Sequence, residues 1–194
     1  EHSETMYQML RDAKRSKQAI CVSWIDLANA CGSVEHALFQ FSMEWYHVPD
    51  RFCEIIFNYY EGLMAAVLVK GAMTRWFRFM IGVFQGCTAS TILFNVAFNT
   101  CFDHVNELKE ECGYQFSSAP VKLLTTGYAD DLGIGTGATQ TGSAVANNQR
   151  VTNSLNVWLK WSRTMKAKPK KCICMGLEKG KPVDPGLTIK AGDQ

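Results

Sequence analysis

Apolar positions recur along this chain in two rhythms, one of period 3.6 and one of period 2, and each change of rhythm marks an element. Residues 5–16 put Met6, Met9, Leu10 and Ala13 on one face at helical spacing and predict a helix. Residues 19–26 (AICVSWID) are nearly all apolar, short and β-branched, as in a buried strand. Helices are expected over 33–46, with Ser33 as N-cap, and over 49–60, opened by Pro49-Asp50. Residues 64–70 and 74–80 predict a hairpin around Gly71. A long helix over 86–108 buries Ile92, Leu93, Val96, Phe98 and Phe102. Residues 121–128 and 132–135 are short strand-like runs meeting at Asp130-Asp131. An amphipathic helix over 144–165 turns Val151, Leu155, Trp158 and Leu159 inward, and residues 171–177 alternate as a strand.

The resulting order, β-α-α-ββ-α-ββ-α-β, contains few single crossovers and several hairpins. It favours an α+β domain with an antiparallel sheet, helices packed on one face and a ferredoxin-like core. With no internal repeat or Pro/Gly-rich linker, residues 1–194 read as one domain.

Composition narrows the classes. At 194 residues and 47% apolar, the chain can build a real core. It holds no apolar run of transmembrane length, so no membrane partner is expected. The start, Glu1-His2-Ser3-Glu4-Thr5, has neither an initiator Met nor a hydrophobic signal segment and suggests an internal fragment. Eight scattered cysteines form no CxxC pair, and reduced thiols in an intracellular protein are the expectation. A net charge of +2 hides two basic clusters: Arg11, Lys14, Arg15 and Lys17, and the run from Lys160 to Lys181 in which Glu178 is the one acid. Such clusters suit phosphate backbones, although a charge run is more often a solvated face.

The most informative residues are Tyr128-Ala129-Asp130-Asp131-Leu132. Adjacent strand residues point to opposite faces, so two neighbouring Asp can share a site only where a turn breaks the alternation. Asp-Asp alone is ordinary turn chemistry. Asp26 changes that balance, because it ends an otherwise apolar strand, and a carboxylate there is costly unless paired or bound to a metal. If that strand lies beside the hairpin, three carboxylates converge, and a hard divalent cation resolves their repulsion. Mg²⁺ suits such a site, and two ions roughly 3.5–4 Å apart would clamp an in-line phosphoryl transfer.

These residues resemble a known family. The segment Asp26-Leu27-Ala28-Asn29-Ala30-Cys31-Gly32-Ser33-Val34-Glu35-His36 is similar to the first catalytic motif of retroelement reverse transcriptases. Gly82-Val83-Phe84-Gln85-Gly86-Cys87-Thr88-Ala89-Ser90 resembles their second, Tyr128-Ala129-Asp130-Asp131 their YADD box, and Lys168-Pro169-Lys170-Lys171 the element after the next helix. The four cover nearly the whole chain in the family's order, and the first motif is most like non-LTR (LINE-type) elements.

The resemblance implies a polymerase palm that copies an RNA template into DNA from a primer and deoxynucleoside triphosphates, with two Mg²⁺ (or Mn²⁺) ions. Asp26 and Asp130 would bridge the ions, Asp131 would support them, and the Leu27 carbonyl would complete their coordination. Gln85, Gly86 and Tyr128 would line nucleotide and template, and Lys171 would approach the triphosphate as the acid that protonates pyrophosphate. It also implies that most of the fingers and the thumb, which flank these motifs in the family, are missing from a chain ending at Asp193-Gln194.

Four positions depart from the pattern. Cys31 replaces the aromatic beneath the incoming sugar, which predicts weak rejection of ribonucleotides. Phe84 stands for a basic residue, Thr88 for Pro and Lys168 for Asn. The five tryptophans sit at apolar-periodic positions and read as core, His36 and His47 as structural, and Gly133-x-Gly135-x-Gly137 as a loose strand exit. The competing function is a catalytically silent palm-fold module that binds RNA as a scaffold.

Overall fold

The computed structural model describes residues 2–190; Glu1 and residues 191–194, which include the terminal Asp193-Gln194, lie outside the described residues. In chain order the elements are α1 (His2–Ser16), β1 (Ile20–Asp26), α2 (His36–Trp45), α3 (Asp50–Gly62), β2 (Met64–Ala65), β3 (Leu68–Val69), β4 (Ala72–Met73) and β5 (Phe77–Arg78). There follow α4 (Thr88–Asn106), α5 (Lys109–Cys112), β6 (Tyr114–Gln115), β7 (Lys122–Leu123), β8 (Thr125–Tyr128), β9 (Asp131–Gly137), α6 (Ala144–Trp161), β10 (Ile173–Glu178) and β11 (Lys181–Val183). The chain forms two compact units: residues 1–30 with 99–194, and residues 31–98.

The first unit is built on a five-stranded antiparallel sheet in the order β11-β10-β1-β9-β8. Leaving aside β11, the strands run in the sheet order of a split β-α-β motif, with β1 and β9 central. Buried on both faces, β1 needs the near-continuous apolar run that its sequence shows. Its even positions, Ile20, Val22 and Trp24, pack with Met6, Met9 and Ala13 of α1. Its odd positions face α6, where buried Asn148 accepts a hydrogen bond from the Ser23 hydroxyl (2.6 Å) and donates one to the Cys21 carbonyl (3.1 Å). The end of α4 lies on this second face too, with the Phe102 ring against Gly127 and His104 hydrogen bonded to Ser154. Two helices thus share one face, as the sequence leads one to expect, and α1 covers the other, which the pattern does not reveal.

The glycines of β9 are a correction. Gly133-x-Gly135-x-Gly137 lies within a central strand and is not a loose exit. An added Cβ at Gly133 would press on Thr126 and Met6, one at Gly135 on Met9, and one at Gly137 would touch Tyr114. Gly133 and Gly135 form a packing groove for α1, made of residues that lack a side chain.

In the second unit, α2 begins at His36 and not at Ser33. Cys31–Ser33 forms a 3-10 turn, and Glu35 bridges to Ile81, which keeps the chain extended until that pairing ends. Phe39, Tyr60, Phe79 and His36 form an aromatic cluster with ring centroids 4.8–6.4 Å apart. The expected hairpin exists as two short ladders, β2 with β5 and β3 with β4, closed by Lys70 (φ 48°) and Gly71 (φ 84°). Positive φ at both loop residues is what a tight two-residue hairpin demands.

Three tryptophans depart from the core reading: Trp45, Trp76 and Trp161 are 59%, 61% and 50% exposed, while Trp158 is buried. Periodicity identifies an apolar face but cannot say whether anything covers it. Among the described residues no disulfide joins any two cysteines, and burial pushes the Cys21 thiol up to about 12. No described helix is long and apolar enough to cross a membrane.

Candidate active site

The site grows from the end of β1. In its register with β9, Asp26 stands directly opposite Asp131, and Tyr128 of β8 stands opposite Asp131 on the other side. Directly opposed residues share a sheet face, so the Asp26 and Asp131 side chains emerge together. Like charges in that position destabilise the pair unless something neutralises them.

Between Tyr128 and Asp131 the chain reverses in two residues, Ala129 and Asp130. Ala129 takes φ 54°, a left-handed conformation that costs a non-glycine residue about 1–2 kcal/mol. The reversal sets Asp130 at the hairpin tip beside Asp131. Both carboxylates are exposed and make no hydrogen bond or ion pair with another described residue.

Asp26 differs. Its Oδ1 is buried and has no hydrogen-bond partner. Lys168 Nζ is 3.8 Å from Oδ1 and Lys171 Nζ 4.0 Å from Oδ2, near enough to be felt but too far to saturate either oxygen. The lysines are held there by backbone. Ala28 N–H donates to the Lys166 carbonyl (2.7 Å) and Lys168 N–H to the Asp26 carbonyl (2.8 Å), on either side of the Leu27–Ala167 bridge. The Leu27 carbonyl takes no part in those two bonds. Lys171 ends a short 3-10 turn, Pro169–Lys171, so β10 begins at Ile173 and not at residue 171. Pro169 opens that turn, where its missing N–H costs nothing.

Divalent cations fit this arrangement in one respect. A buried carboxylate oxygen without a donor, opposite a second carboxylate, is an acceptor in want of a positive partner. Among the described residues no three His, Cys, Asp or Glu side chains gather closely enough to hold a metal themselves. Mg²⁺ is usually held by one or two carboxylates plus substrate phosphates and water, and does not require such a cage.

The second unit carries Cys31, Gln85 and Gly86. Val83 N–H donates to the Cys31 carbonyl (2.8 Å) and Gly82 N–H to the Val34 carbonyl (2.8 Å), tying the first motif to the second. Gly82 has φ 88°, and a Cβ there would meet the Gly32 carbonyl oxygen at 2.9 Å, so the glycine at position 82 serves a close backbone approach. Gln85 and Gly86 are exposed and precede α4 by a short loop, which the Ser90 hydroxyl closes by donating to the Phe84 carbonyl (2.6 Å). His36 reaches the Gly82 carbonyl through Nε2 (3.1 Å), and burial lowers its pKa, favouring the neutral ring. His36 is structural, as its lack of ligand spacing suggested. Sequence reasoning missed the anchoring roles of Ser90 and His36, although both sit inside the quoted motifs. It also missed that Lys168 lies as near Asp26 as Lys171 does.

The reverse transcriptase (RNA-dependent DNA polymerase) family profile matches residues 2–181. Among solved structures, an apo telomerase from Candida tropicalis, truncated from its C-terminal domain, is similar at a TM-score of 0.64 and 13% identity. The match covers 89% of this chain and 34% of that one, so the chain spans about a third of the length of its structural relative. At that identity the likeness is one of fold. No curated protein matches the sequence.

Proposed function

We infer the function from one premise: this chain belongs to the reverse transcriptase (RNA-dependent DNA polymerase) family. We propose that it is the catalytic palm of an RNA-directed DNA polymerase of the non-LTR type, extending a primer on an RNA template with deoxynucleoside triphosphates. The observation that carries this reading is the opposition of Asp26 and Asp131 at the ends of β1 and β9, with a buried Asp26 oxygen left without a donor.

In this reading Asp26 and Asp130 hold two Mg²⁺ ions, Asp131 supports them, and the Leu27 carbonyl adds an oxygen ligand. When bound, such ions lower the pKa of the attacking hydroxyl and neutralise charge on the transferring phosphoryl group. The protein does the positioning. The reversal at Ala129-Asp130 fixes the height of one carboxylate relative to the others, and the β1–β9 register fixes the remaining pair. Lys171 offers a cation toward the triphosphate and a proton toward the departing pyrophosphate. Cys31, Gln85, Gly86 and Tyr128 line the nucleotide and template. The basic groups Arg11 to Lys17 and Lys160 to Lys171, exposed apart from the half-buried Lys166 and Lys168, take up phosphates without reading sequence.

A silent RNA-binding scaffold is the second reading, favoured by the lack of a ready-made three-carboxylate cluster among the described residues. Primer extension on an RNA template, with and without Mg²⁺, separates the two. The polymerase reading expects Mg²⁺-dependent extension that Asp130→Asn abolishes. Extension that Asp130→Asn leaves untouched would overturn the site.

A further inference from the structure

We propose that Lys168 is a tethered internal cation that occupies the electrostatic place of a divalent ion at Asp26 and competes with it, so that this side chain sets how much metal the site requires. The inference rests on the carboxylate assignment proposed above and adds a residue with no part in it.

Three observations carry it. The Lys168 ammonium is 3.8 Å from Asp26 Oδ1, the buried oxygen that no hydrogen bond satisfies. That separation is an ion pair without a hydrogen bond, so charge is offset while the oxygen lone pairs stay open. Second, the root of the side chain is fixed beside the carboxylate, because its own backbone is pinned. Lys168 N–H donates to the Asp26 carbonyl at 2.8 Å, and the Lys168 carbonyl accepts from Lys171 N–H at 2.8 Å and Cys172 N–H at 3.2 Å. Third, the side chain is 42% exposed, so it can swing into water when a stronger cation arrives.

A divalent ion at Asp26 must therefore either displace a positive charge or bind beside one. Lys171, 4.0 Å from Oδ2, adds a similar field but has a use once a triphosphate is present. Lys168 is given no role at the triphosphate, only a share in the phosphate contacts of its basic run, and its net effect at Asp26 is to raise the metal concentration at which the carboxylates fill. Without substrate it keeps Asp26 from facing Asp131 as an uncompensated pair of like charges.

The test is Mn²⁺ binding to the 194-residue chain without substrate, followed through the electron paramagnetic resonance signal of the free ion. Lys168→Gln keeps the stem and the backbone hydrogen bonds while removing the charge, and Lys168→Arg keeps the charge. Lys168→Gln should bind Mn²⁺ about 3- to 10-fold more tightly, the effect of removing one partly screened charge next to a divalent ion, while Lys168→Arg should match the wild type. Asp26→Asn should lose the site. If Asp26→Asn loses it but Lys168→Gln binds no more tightly than wild type, the competition is refuted and the carboxylate assignment stands. If Asp26→Asn binds Mn²⁺ like the wild type, the assignment and the competition fall together.

Discussion

Asn148→Ala should destabilise the sheet that carries Asp26 by about 2–4 kcal/mol. Asn148 is fully buried on α6 and makes two hydrogen bonds to β1, accepting from Ser23 Oγ and donating to the Cys21 carbonyl. Truncation leaves the Cys21 carbonyl 3.2 Å from the Thr136 hydroxyl, whose one proton it shares with the Ala144 carbonyl at 2.7 Å. The Ser23 hydroxyl is left with the Cys174 sulfur at 3.4 Å, a weak acceptor. One poorly satisfied buried hydroxyl costs about 1–3 kcal/mol. The small void left by the amide adds about 1 kcal/mol. Ser23→Ala alone should cost about 1–3 kcal/mol, because it strands the Asn148 oxygen. The double variant should cost less than the sum by about 0.5–3 kcal/mol, since removing both partners leaves neither unsatisfied. Urea titration followed by far-UV circular dichroism measures all three. An Asn148→Ala cost below about 0.5 kcal/mol, typical of a surface position, or strictly additive costs would refute the reasoning.

Gly127→Ala would drive a methyl into the Phe102 ring and should cost about 1–3 kcal/mol in the same titration, with Phe102→Leu recovering part of it; full stability in Gly127→Ala would show the contact to be loose. Burial pushes Asp12 up, but hydrogen bonds from Ser117 and Tyr114 and the charge of Arg15 outweigh it and hold the carboxyl below 3.8. A depressed carboxylate stabilises the fold fully above its ordinary value and loses that contribution as pH falls through the folded one. Asp12→Asn should therefore be less stable than wild type at pH 7, and the gap should narrow below pH 3.8; a pH-independent gap would contradict this. Cys31→Phe should raise the preference for deoxy- over ribonucleotides by about 5- to 150-fold, read as a ratio of incorporation efficiencies, and an unchanged ratio would remove Cys31 from the sugar site.

Much of the framework was legible because burial leaves a strong mark. The nearly all-apolar β1 reads as a buried strand, and the helical spacing of Met6, Met9 and Ala13 marks a face that packs on the core. Asp26 drew attention for the same reason, as a charge at the end of such a strand. What was hidden depends on contacts between segments distant in sequence. Glu35 reads as part of the first turn of a helix until its bridge to Ile81 is known. Gly133 and Gly135 of β9 look like a loop until α1 is seen lying on them. Trp76 has the spacing of a core residue, and only the isolated two-stranded ladders around it reveal that both sides are open. Lys168 could be recognised as a partner of Asp26 only once the Leu27–Ala167 bridge was known.

The central claim is that Asp26, paired in register with Asp131, is where the polymerase chemistry is held. The most direct measurement is the single-turnover rate of primer extension on an RNA template at saturating Mg²⁺, comparing the wild type with Asp26→Asn, each checked for fold by circular dichroism. Asn preserves size and strand geometry but removes the charge, so the folded variant should extend at least about a thousandfold more slowly, a loss of about 4 kcal/mol of transition-state stabilisation. A folded Asp26→Asn chain that extends primers within about tenfold of the wild-type rate would contradict the account.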